Sequence, residues 1–107
     1  MRNVVIGANS AAVFTTTSNI IAIGYKSGYS CKEDNNIFIG SNSGAFSHEG
    51  KMNIIVGSNA GINNYNGSNN VIIGSNAGVG TLIMGDGELE SGSNKNNILI
   101  GSNSGAG

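Results

Sequence analysis

The sequence predicts an all-β fold, a parallel β-roll or β-solenoid of about six coils. Two observations predict it: a six-fold repeat with a spacing near 17 residues, and an apolar triplet in each copy that is too short to be a helix. A third is the composition, with 18 glycines, no proline and only 10% charged residues among 107. A Gly-rich linker would lack the regular Ile/Val triplets, so the chain is ordered, with its apolar residues at fixed places.

Aligned on the glycine after each triplet, the copies are NVVIGANSA from Asn3, IIAIGYKSG from Ile20, NIFIGSNSG from Asn36, NIIVGSNAG from Asn53, NVIIGSNAG from Asn70 and NILIGSNSG from Asn97. The anchor glycines Gly7, Gly24, Gly40, Gly57, Gly74 and Gly101 are separated by 17, 16, 17, 17 and 27 residues. The organisation is one domain, 1–107, with an insertion at about 80–95.

Each triplet is rich in β-branched residues and reads as a short strand. Its first column is Val4, Ile21, Ile37, Ile54, Val71 and Ile98; its third is Ile6, Ile23, Ile39, Val56, Ile73 and Ile100. Side chains alternate along a strand, so these two columns share a face. They accept only Ile or Val and are expected to fill the interior. The middle column, Val5, Ala22, Phe38, Ile55, Ile72 and Leu99, varies in size. It is expected to pack on another copy of the chain, because both faces are apolar and a thin monomer has too small a core for its size.

Asn9, Asn42, Asn59, Asn76 and Asn103 stand two places after an anchor glycine. Asn tolerates the left-handed backbone region, so these residues mark the turn, with small residues beyond them packing a tight corner. The weaker apolar positions that follow (Ala12, Val13, Phe14, Tyr29, Ala45, Phe46, Ile62 and Val79) suggest a short second strand and then an exposed return loop.

The repeat resembles the head repeats of YadA-like trimeric autotransporter adhesins, whose motif has the form N-S-V-A-I-G-x-x-S-x-A. The stretch NIIAIGYKSGYS carries the likeness through Ile21, Ala22, Ile23, Gly24 and Ser27, while NIFIGSNSGA and NIIVGSNAGI are similar to related repeats of phage and bacterial fibre proteins. The resemblance runs through nearly the whole chain apart from Thr81 to Lys95. It implies a left-handed roll, an intertwined or side-by-side homotrimer, and a place on a virion tail or fibre or an extracellular appendage. Two departures limit it: the repeats are longer than the family's, and the sequence holds no coiled-coil stalk, anchor or signal peptide. The chain therefore reads as a fibre segment, a fibre tip or a baseplate protein.

Little in the sequence points to chemistry. Net charge is −1 and the five Lys and Arg are scattered, so no nucleic-acid partner is expected. No run is long and apolar enough for a membrane span. His48 is the only histidine and Cys31 the only cysteine, which argues against a metal centre, a catalytic triad or a cofactor. Cys31 reads as a partly buried loop thiol and Lys26 as a solvated side chain. No enzyme is expected.

The insertion holds Leu82, Ile83 and Met84 followed by an acidic tip, Asp86, Glu88 and Glu90. The apolar triplet suits a partner contact. The three carboxylates are weak calcium ligands on paper, against the simpler reading of a solvated tip. Tyr65, with Tyr25 and Tyr29, could stack on a sugar or simply cap a core edge.

The sequence thus leads to a structural or adhesive fibre module that assembles with itself and displays loops to a cell-surface receptor, a glycan or an adjoining fibre or baseplate protein. The alternatives are a carbohydrate-binding module on a solenoid and an ice-binding solenoid. The latter lacks a recurring threonine array, since Thr15 to Thr17 occur once.

Overall fold

The computed structural model describes residues 2–12, 17–46, 50–62, 68–78 and 98–104. Their six strands are β1 (Val4–Ile6), β2 (Ile21–Ile23), β3 (Ile37–Ile39), β4 (Ile54–Val56), β5 (Val71–Ile73) and β6 (Ile98–Ile100). They form one parallel sheet in chain order, each triplet in register with the next, so that Phe38 pairs with Ala22 on one side and Ile55 on the other. The fold is a β-solenoid, and every strand is one of the repeated triplets.

The turn after five of the six strands follows from a Gly-x-Asn sequence, and after β2 Lys26 takes the Asn place with φ 56°. In the third repeat the Ser43 N–H donates to the Gly40 carbonyl and the Ala45 N–H to that of Asn42, both at 3.2 Å. These are two overlapping four-residue turns. Each has a positive φ at its third residue, 61° at Asn42 and 58° at Gly44, as a type II turn requires. Asn9, Asn59, Asn76 and Asn103 repeat the conformation with φ between 58° and 61°. The anchor glycine is needed for a second reason: a Cβ on Gly57 would stand 2.5 Å from the Gly74 carbonyl oxygen in the next repeat.

The expected second strand is replaced by these turns among the described residues. The repeats are still stitched together there. Gly28 N–H donates to Ser43 O at 2.8 Å, Gly44 to Ala60 O at 2.9 Å and Gly61 to Ala77 O at 2.8 Å. Alternating left-handed residues give the turn its ladder without extended backbone. Val13, Phe14 and Val79 of that expectation lie outside the described residues.

The two faces of the sheet are the reverse of the sequence expectation. The middle column points inward: Ala22, Phe38, Ile55 and Ile72 are wholly buried within a single chain, and Leu99 packs partly against the same cluster. Val5, in the end strand, is 38% exposed. This column is therefore the core and not the surface that meets another copy. The Ile/Val columns point outward, with Ile39 at 37%, Ile54 at 40% and Ile73 at 36% exposed.

The physical reason lies in the width of a rung. A three-residue strand offers one inward side chain when the residue before it also points in. Asn36, Asn53 and Asn70 occupy that preceding place and are fully buried. The Asn53 N–H donates to Asn36 Oδ1 at 2.9 Å and the Asn70 N–H to Asn53 Oδ1 at 3.0 Å, so buried amides run up the stack as a ladder. Opposite them the turn closes the core. Ser27 and Ser43 are buried, and their hydroxyls donate to the Phe38 and Ile55 carbonyls of the following repeat at 2.9 and 2.8 Å.

Candidate interface

The outward Ile/Val columns form a single apolar face. Twelve side chains, two from each strand, stand in parallel register over the whole sheet. At about 4.8 Å per strand the face runs about 24 Å along the stack, with its two columns about 7 Å apart. With side-chain width included, it covers a few hundred Å², the size at which a bare apolar patch marks an interaction surface. All twelve residues are β-branched, so each loses little rotamer freedom when covered. A bare apolar sheet face of this regularity is chemically suited to dry packing against a surface of the same kind.

On the turn side, the structure brings Tyr25 and Tyr29 together around Lys26. The Lys26 Nζ lies 5.4 Å from the Tyr25 ring centroid and 5.7 Å from that of Tyr29. Lys26 is thus held against two rings and is half-buried rather than freely solvated. Its ammonium takes up part of the ring surface that a sugar would need. A hollow of about 250 Å³ beside it is lined by Lys26, Tyr29, Asn42, Ala45, Phe46 and Ile62. Its lining is mostly apolar and carries no carboxylate.

Cys31 lies in the core cluster and is wholly buried, more so than the sequence suggested. Its thiol donates to the Glu33 carbonyl at 3.2 Å and accepts from Asn36 Nδ2 at 3.4 Å. Burial pushes the thiol above its ordinary pKa, against a smaller lowering by the Glu33 and Asn36 hydrogen bonds. The protonated, enclosed sulfur is a packing group, without the thiolate that nucleophilic chemistry needs. The Lys51–Glu33 ion pair, at 3.7 Å and partly exposed on both sides, contributes little to stability.

Other sequence candidates lie outside the described residues: Tyr65, His48, and Leu82, Ile83, Met84, Asp86, Glu88 and Glu90 of the insertion. Among the described residues no group of three or more His, Cys, Asp or Glu could hold a metal ion, and no helix is long and apolar enough to cross a membrane. The features that sequence reasoning missed are the buried Asn ladder and the outward direction of the Ile/Val columns. The recurrence of Asn3, Asn36, Asn53, Asn70 and Asn97 directly before the triplets was the available signal for the ladder. No family model, curated protein or solved structure matches the chain.

Proposed function

We propose that this chain is a structural module of a fibre, one coil per repeat, built from three copies packed side by side through their Ile/Val faces. The observation that carries the reading is that apolar face, half-exposed in the single chain and uniform from β1 to β6. Burying it removes apolar surface at a gain of roughly 25 cal/mol per Å². The choice of three copies, a left-handed coil and a place on a virion or cell-surface appendage rests on the resemblance of the repeat to YadA-like heads and fibre repeats. In such a module the rod supplies stiffness, and the long interval between Gly74 and Gly101 supplies the extra residues for contact with a receptor, a glycan or an adjoining fibre protein.

The test is the mass in solution. Light scattering should give a multiple of the 10.8 kDa chain, three by this reading. Ile39→Ser with Ile73→Ser, on the outward face, should lower the mass to one chain with the far-ultraviolet β signal kept. A native protein that is monomeric at tens of micromolar, or a double variant of undiminished mass, refutes the proposal.

A further inference from the structure

One turn of the solenoid departs from the rule that the others keep. Two places after the anchor glycine, five repeats have Asn and the second has Lys26. Tyr25 precedes it, where the others have Ala8, Ser41, Ser58, Ser75 and Ser102. Lys26 adopts φ 56°, the left-handed region that Asn enters at lower cost. The backbone by itself therefore favours Asn there. The lysine is held instead over the Tyr25 and Tyr29 rings, its Nζ 5.4 and 5.7 Å from their centroids. Among the described residues no carboxylate forms an ion pair with it.

A second departure lies beside the first. Five places after the anchor glycine, the column runs Tyr29, Ala45, Ile62 through three consecutive repeats. The ladder is continuous there: the Ser30 N–H donates to the Ala45 carbonyl and the Phe46 N–H to that of Ile62, both at 3.1 Å. A small residue thus stands between two large ones, and the side-chain volume missing at Ala45 is the hollow of about 250 Å³. Ala45 is buried at its floor, and Lys26, Asn42 and Phe46 complete the lining.

The dimensions and the lining together select an occupant. Tyr29 and Ile62 are two rungs apart, about 9.6 Å between backbones. A flat ring in van der Waals contact above and below needs about 7 Å. The hollow is one ring deep along the stack and bounded on that axis by Tyr29 and Ile62, so it takes a single group and not a length of chain. The Tyr29 ring, Ala45, Phe46 and Ile62 give it apolar walls, and Lys26 gives it one positive charge. A sugar would press its hydroxyls against the apolar walls. A dianionic phosphate would bring a second charge that no lining residue meets.

We propose that the hollow is a binding site for a small aromatic monocarboxylate. Its ring slots over Ala45 between Tyr29 and Ile62, and its carboxylate meets Lys26 Nζ. The ammonium has three N–H donors, so it takes a carboxylate while staying over the rings. The site uses turn residues and not the Ile/Val columns, so it stands apart from the side-by-side packing of copies.

The experiment is a titration of the whole chain with sodium benzoate at constant ionic strength, read by backbone and methyl NMR shifts. Saturable shifts should appear at Tyr29, Ala45 and Ile62 with a Kd of about 1 mM, the affinity that one ring and one charge supply. Benzamide, of the same shape without the charge, should bind about tenfold more weakly. Lys26→Asn installs the residue that the other repeats carry, so the turn is kept. It should weaken benzoate by about tenfold and bring it level with benzamide. Ala45→Leu fills the hollow at a place where the next repeat already carries Ile62, and should abolish the shifts from both compounds.

No saturable shift up to about 20 mM benzoate overturns the proposal. Equal binding of benzoate by the native chain and folded Lys26→Asn overturns it too, as does benzamide bound as tightly as benzoate. Shifts gathered on Ile54 and Ile73 of the outward face, with none at Ala45, would do the same. If Ala45→Leu loses the β signal, the Lys26→Asn and benzamide comparisons decide alone.

Discussion

The Phe38 ring lies between Gly28 and Gly44. A Cβ on Gly28 would stand 2.5 Å from Phe38 Cδ2, and one on Gly44 would press closer still on Cδ1 of the other ring edge. The two glycines belong to the turns of successive repeats, so the largest residue of the inward column is seated in space left by two missing side chains. Where the column narrows to Ala22, the corresponding turn place in the first repeat holds Ala11, also in the left-handed region with φ 48°. Inward size and turn size thus vary together.

Gly44→Ala should therefore destabilise the fold by about 2–4 kcal/mol, combining overpacking with a left-handed Cβ. Phe38→Leu should recover part of that loss in the double variant. Denaturant melts of the two single variants and the pair test it. Simple additivity would mean that the ring and the turn do not share the space.

Neighbouring residues on β4 separate the two faces most directly. Ile55 is wholly buried and Ile54 is 40% exposed. Ile55→Asp places an unpaired carboxylate in the core and should abolish folding at a cost of several kcal/mol. Ile54→Asp should leave the β signal intact and act on assembly alone. Circular dichroism with light scattering reads both; a folded Ile55→Asp chain would contradict the inward assignment.

Met52 is held with φ 60°, in a place where the other repeats have Asn19, Asn35 and Asn69 at φ 59° to 65°. It is half-exposed, so little packing opposes a change. Met52→Asn should raise stability by roughly 0.5–1 kcal/mol, because Asn enters the left-handed region at lower cost. It would also place an amide between Asn35 and Asn69, in the manner of the 3.1 Å Asn19–Asn35 contact. A melting temperature unchanged or lowered in Met52→Asn would show that the backbone there is not strained.

The strands, their register and the turns were legible in the sequence because each has a local cause. Val and Ile favour extended backbone, and Gly and Asn admit positive φ. The direction of the faces was not legible, for a reason that Asn36 and Phe38 make plain. They sit two apart and share a face, so a polar residue stands in phase with the middle column and makes the uniform Ile/Val columns look like the core. Burial of Asn is favourable here only because its amide bonds along the stack, a contact between residues 17 apart that no local pattern displays. Size offered the missing cue: Phe38 and Ala22 can share a column only if something opposite compensates, as Gly28 and Ala11 do.

The Asn ladder carries the last prediction. Asn53 accepts the Asn70 N–H at 3.0 Å through Oδ1, while its own N–H is held by Asn36 Oδ1 at 2.9 Å. All three residues are fully buried. In Asn53→Ala the Asn70 N–H loses its acceptor with no water to replace it. An orphaned buried donor costs about 1–3 kcal/mol. The comparison is Asn59→Ala, on the half-exposed turn column, whose side chain accepts from Asn42 Nδ2 at a longer 3.3 Å. There the amide is reachable by water, so the cost reduces to the left-handed backbone, about 1–2 kcal/mol. Stability alone separates the two variants poorly, so hydrogen exchange is the decisive reading. The Asn70 amide should exchange much faster in Asn53→Ala and keep its protection in Asn59→Ala at matched global stability. Equal protection of Asn70 in both would mean that the buried amides fill space in the core without carrying the ladder.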